Sequence, residues 1–115
     1  MSEHTVYGWQ LSMPESADKV WHFVVTLGDG AVLIEFIGSE AGTVVDRDQG
    51  ETALILDMAA TRINALERDG WGTEVGPVRF SVPRRVALDA QFSSSQGDGA
   101  ADQIRRGFYR ACCTR

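Results

Sequence analysis

Two apolar runs, Val20 to Leu27 and Ala31 to Ile37, stand either side of Gly28-Asp29-Gly30, and no other stretch constrains the fold as tightly. Strand-like runs around a Gly-Asp-Gly break are the signature of a β-hairpin. Burial then selects a register. With Asp29-Gly30 as a two-residue type I′ turn, Leu27 faces Val32, Val25 faces Ile34 and Phe23 faces Phe36. One sheet face is then wholly apolar. A three-residue loop would set Phe23 against Glu35 and His22 against Phe36, and both faces would be mixed. A one-residue slip turns every side chain over, so the two-residue turn and the core pair Phe23–Phe36 are expected.

His4 to Met13 alternates, with Tyr7, Trp9, Leu11 and Met13 on one face, as in a half-buried strand. Pro14 to Asp18 reads as a turn, and Thr43-Val44-Val45 as a short extension of the sheet. Asp48 to Arg68 reads as the main helix. Asp48 is its expected N-cap, Glu51 completes a capping box, and Leu56, Ala59, Ile63 and Leu66 recur at helical spacing. Gly70 suits the left-handed position after the helix, and Trp71 would close a Schellman motif on Leu66. A competing reading makes Thr52 to Leu56 a strand.

Beyond Gly72, Val78, Phe80 and Val82 alternate, and Pro77 points to a sheet edge. Pro83-Arg84 reads as a turn, with Val86, Leu88 and Phe92 on a last strand. Ser93 to Gly99 is a polar linker. Ala100 to Cys113 can form a short helix with Ile104, Phe108 and Ala111 on one side, interrupted at Gly107. The expected organisation is a single α+β domain over 1–92 and a dispensable linker and tail over 93–115. Its order is β-β-β-α-β-β, a five-stranded antiparallel sheet with one main helix on the Phe23 and Phe36 face.

At 115 residues the chain is one domain by length and can bury a real core. No apolar run approaches the roughly 20 residues that span a bilayer. The N-terminus lacks a basic stretch followed by an apolar one, so no membrane contact and a cytoplasmic location are expected. The two cysteines, Cys112 and Cys113, are neighbours and cannot staple a core. Ten of the eleven basic residues are Arg, a usage that suits GC-rich coding in a bacterium or phage. Residues 1–92 hold 14 acidic against 7 basic residues, and residues 93–115 hold 2 against 4. An acidic body is repelled by phosphate backbones, so direct nucleic-acid binding is not expected.

Few residues suggest chemistry. His22 and Glu35 fall as diagonal neighbours on the second hairpin face, where a histidine beside a carboxylate can act as a general base. Neither a nucleophile elbow nor a glycine-rich phosphate loop before a helix accompanies them. Asp46 to Glu51 faintly follows a calcium loop, but Gly50 stands at a ligand position and Asp57 at the bidentate one. Acidic residues there also complement a helix dipole, so no metal or cofactor is expected. Arg84-Arg85 reads as a solvated turn.

The face away from the helix carries Val20, Val24, Leu33 and Ile37. A sheet face that apolar, if open, would contact a partner. The expected function is therefore macromolecular binding, of the inhibitor, immunity or adaptor type. Asp46, Asp48 and Glu51, with Leu33 and Ile37, would meet a basic protein surface. Self-association through the open face is the competing use of Leu33 and Ile37. The alternative class is a small-ligand binder or enzyme with a pocket between sheet and helix, using His22, Glu35 or Arg84.

Overall fold

A computed structural model describes residues 3–38, 43–92 and 99–113 of the chain. Strands β1 (Glu3–Ser12), β2 (Lys19–Leu27), β3 (Gly30–Gly38) and β4 (Thr43–Gly50) form a meander. Helix α1 (Thr52–Arg68) follows, then β5 (Gly72–Pro83), α2 (Arg84–Phe92) and α3 (Gly99–Cys113). The strands make one five-stranded sheet, β4-β3-β2-β1-β5, with every pair antiparallel. The fold is α+β, with α1 packed on the sheet.

The hairpin faces are those expected, but the pairing is shifted by two residues. Leu27 pairs with Gly30, His22 with Glu35, and Phe23 with Ile34. The turn is therefore Gly28-Asp29, and Phe23 meets Phe36 only diagonally, with ring centroids 5.5 Å apart. A two-residue shift keeps every side chain on its face, so burial cannot distinguish the two turns. The local contacts of Gly30 can. Its φ is +151°, and a Cβ there would lie 2.5 Å from the Gly50 carbonyl oxygen. Gly30 is a strand residue that lets β4 pass closely.

Helix α1 covers the opposite face from the one expected. Its inward residues Ile55, Ala59 and Ile63 recur every four positions and are buried. Ile55 and Ala59 pack on Val24, Ala31 and Leu33, and Ile63 on Leu11 and Val20. Leu33 is 0 % exposed, so this is not an open sheet face. The helix begins at Thr52, and Asp48 lies in β4, paired with Leu33, instead of capping it. Glu51 holds the N-cap position without a side-chain cap bond. The helix ends in the expected Schellman motif. Trp71 N donates to Leu66 O and Gly70 N to Glu67 O, with Gly70 at φ +106°.

The Phe23 face is covered by α2 and α3. Residues 84–92 are helical where a last strand was expected, because Val86, Ala87 and Ala90 fit a helix face as well as Val86 and Leu88 fit an alternation. The fifth strand is instead β4, which uses residues expected to form the sheet extension and the helix start. From α3, Ile104 and Phe108 are both 0 % exposed within the same core as Phe23, Ile34 and Phe36. The Phe108 ring sits 5.4 Å from Phe23 and 6.3 Å from Phe80, both edge to face. Gly8 makes room for it, since a Cβ there would lie 2.6 Å from Phe108 Cδ1. Gly107 brings the helix backbone against Phe80, so this glycine is a packing residue. The segment expected to be a dispensable tail thus contributes to the core. Of the expected linker, Ser93 to Gly99, residues 93–98 lie outside the described residues, and Gly99 opens α3.

A polar relay runs across the sheet from the buried Trp21 to the surface. Trp21 Nε1 donates to Gln10 Oε1 at 2.9 Å, Gln10 Nε2 to Glu74 Oε1 at 2.8 Å, and Lys19 Nζ to the same oxygen at 2.9 Å. Those bonds, Lys19 first, hold the Glu74 carboxyl below the usual carboxylate range. Among the described residues no helix is long and apolar enough to cross a membrane.

Candidate functional site

The sheet and α1 bring His22 and Glu35 together more directly than a diagonal. They are cross-strand partners, with His22 Nε2 3.6 Å from Glu35 Oε1. That separation is beyond hydrogen-bond reach. Neither His22 ring nitrogen has a hydrogen-bond partner, and the side chain is 0 % exposed. Arg62 of α1 reaches over the pair. Its guanidinium lies 3.7 Å from Glu35 and donates to Asp48. This cluster ties α1 to β3 and β4. A general base must reach the proton it removes, and His22 is sealed beneath the helix.

The acidic residues expected to act as one group divide. Asp48 is committed to Arg62. Asp46 stands opposite Glu35 in the strand register, and its side chain lies outside the described residues. Glu51 is exposed at the start of α1. Of the apolar partners expected for them, Leu33 is buried and Ile37 is 37 % exposed. The anticipated patch of Asp46, Asp48, Glu51, Leu33 and Ile37 is therefore not a single surface.

A different surface does assemble. Leu54, on the solvent side of α1, is 61 % exposed, the highest value among the exposed large hydrophobic residues described. Glu51 and Asp57 stand three residues to either side, a spacing that makes them neighbours of Leu54 on a helix surface. Both carboxylates are exposed, and neither forms an ion pair with a described residue. The sequence carries a signal for this patch. Leu54 lies off the stripe of Ile55, Ala59 and Ile63, where an amphipathic helix ordinarily places polar residues.

Among the described residues, concavities flank the helices in two places. One, of about 310 Å³, lies between the second half of α1 and the β1–β5 pair, with Trp9 and Ile63 among its lining. The other, of about 230 Å³, lies between the end of β5, α2 and α3, beside Arg106 and Arg110. Arg106 is paired with Asp102 at 2.9 Å. Arg84 and Arg85 open α2, and both are exposed. Among the described residues no three His, Cys, Asp or Glu side chains converge as metal ligands would. No family model, curated protein or solved structure matches the chain.

Proposed function

We propose that this is a small acidic binding protein, of the inhibitor or adaptor type, that docks a partner protein with a basic surface through the solvent side of α1. The carrying observation is Leu54, a large apolar residue left 61 % exposed between two exposed carboxylates that pair with no described residue. Interfaces combine an apolar anchor that excludes water with a polar rim that selects the partner by charge. The net charge of −5 adds long-range attraction for a cationic partner. The role requires no cofactor and suits a cytoplasmic protein of bacterial or phage origin. The alternative of a catalytic pocket at His22 and Glu35 has less support, because His22 is sealed. Dimerisation through the sheet face has less support as well, because α1 occupies that face.

Affinity capture from a bacterial lysate at low salt, with the wild type beside Leu54→Asp and a Glu51→Lys, Asp57→Lys double variant, tests the reading. A basic protein held by the wild type, lost from both variants and weakened by salt, is the expected result. Screening reduces the reach of exposed charge to about 10 Å at 0.1 M, so the salt effect belongs to the rim and not to the anchor. A partner retained equally by all three proteins would refute it.

A further inference from the structure

The groove over Trp9 has the composition of a cation slot. Strand β5 is bulged where it passes Trp9: Gly8 pairs with Val78 and Gln10 with Val75, leaving Gly76 and Pro77 against a single residue of β1. Bulges re-aim a strand next to a site. Here the bulge lays the Gly76 backbone on one edge of the indole, at φ +131°, and a Cβ would come within 2.7 Å of Trp9 Cδ1. Across the groove, Ala60 and Ile63 of α1 complete an apolar wall, and the small Ala60 leaves the space open. The rim is polar: Asn64, Glu67 and Thr73. Thr73 Oγ1 donates to Glu67 Oε2 at 2.9 Å, which orients the carboxylate and leaves a lone pair on each oxygen to accept from a ligand. Among the described residues that line the groove, none is a lysine or arginine.

An indole, a carboxylate and a carboxamide that can turn its oxygen inward line about 310 Å³ and suit a flat cation. A guanidinium stacks on an aromatic face and donates two parallel bonds to a carboxylate, which an ammonium cannot do. We infer that the Trp9–Glu67 groove receives an arginine side chain of the partner protein, an inference that rests on the proposed docking of a basic protein on α1. Glu67 follows Asn64 and Ala60 along the same side of α1 as Asp57, at spacings of three and four residues. Groove and Leu54 patch can therefore be covered by one partner.

The probe is the capped tripeptide acetyl-Gly-Arg-Gly-amide, with its citrulline and lysine counterparts, titrated at low salt against ¹⁵N-labelled protein. The three indole N–H resonances report, and a Trp9→Phe variant assigns the Trp9 signal. The arginine peptide is expected to move the Trp9 signal and leave Trp21 and Trp71 in place. The citrulline peptide, isosteric but uncharged, should leave all three unmoved, and the lysine peptide should bind several-fold more weakly. Glu67→Gln keeps the Thr73 bond and should weaken arginine binding by roughly fivefold to tenfold. An equal response to citrulline, no Trp9 response, or an unchanged titration in Glu67→Gln would overturn the assignment. None of these results depends on capture of a partner. A partner lost from Leu54→Asp but held normally by Glu67→Gln would remove the slot and leave the docking surface standing.

Discussion

Truncating Phe108 to alanine tests whether α3 belongs to the folded body. The ring is 0 % exposed and makes edge-to-face contacts with Phe23, Phe80 and Tyr109. Phe→Ala in a core costs about 3–5 kcal/mol, and aromatic pairs add about 0.5–1.5 kcal/mol each beyond buried area. The two pairs to the sheet place this site toward the upper end, about 4–5 kcal/mol. Total stability for a domain of this size is on the order of 6–15 kcal/mol, so Phe108→Ala should still fold. An unfolding entropy of about 2.1 cal/mol/K per residue converts 1 kcal/mol into about 4 °C for 115 residues. The melting temperature should therefore fall by about 16–20 °C. Thermal unfolding followed by circular dichroism, with a urea titration to confirm an unchanged slope, measures it. A fall of less than about 4 °C would show that α3 is not docked as described, and residues after 93 would be dispensable after all. Removal of residues 94–115 should cost more than the point variant, because Ile104 leaves with Phe108.

Gly30→Ala should destabilise more than Gly28→Ala. A Cβ at Gly30 meets a backbone carbonyl at 2.5 Å with φ at +151°, whereas Gly28 has open space, and urea midpoints for the two variants give the comparison. His22→Leu should leave stability unchanged or raise it, because it removes buried nitrogens with no hydrogen-bond partner; a loss above about 2 kcal/mol in urea would contradict that. Glu74 gives an acid-side dependence. Its folded pKa is lowered, so its contribution is complete above the unfolded value and disappears as pH falls through the folded one. Its side chain is 39 % exposed, so the effect is small, under about 1 kcal/mol, and Glu74→Gln should flatten that part of the stability-against-pH curve.

The two faces of the hairpin are legible in its sequence, and the partners across it are not. Alternation assigns Phe23, Val25, Val32, Ile34 and Phe36 to one side under either turn, and only the close passage of β4 at Gly30 decides between them. That passage is a long-range contact with no local signature. The end of α1 is legible to the residue, because the Schellman motif is encoded by Leu66, Gly70 and Trp71 themselves. Its start is not. Asp48 has the composition of a cap, but Arg62 draws it into a bond across the helix–sheet junction. Residues 84–92 carry too few apolar positions for period two and period 3.6 to diverge. At the site, the juxtaposition of His22 and Glu35 is legible and its burial is not, since burial depends on which face α1 chooses. Leu54 is legible as a misfit on its helix. The Trp9 groove is not, because it requires a bulge sixty-odd residues away in β5.

The strand order also fixes a sequence of events in time. Along the β2–β3 hairpin, paired residues are 3 to 19 positions apart in the chain, from Leu27–Gly30 to Lys19–Gly38. Along β1–β5 they are 60 to 80 apart, from Ser12–Gly72 to Glu3–Pro83. Closing loops of those mean lengths differs by roughly 1.6 kcal/mol in chain entropy. The meander β1–β4 can therefore zip from its turns while β5 waits for a distant encounter. During synthesis the outer edge of β1 has no partner until the ribosome has made residue 83. For that interval a bare row of amide and carbonyl groups is available to any other strand, which is the hazard that edge strands carry. The alternating glycine and polar positions Gly8, Gln10 and Ser12 make that waiting strand a poor template for aggregation while it lasts.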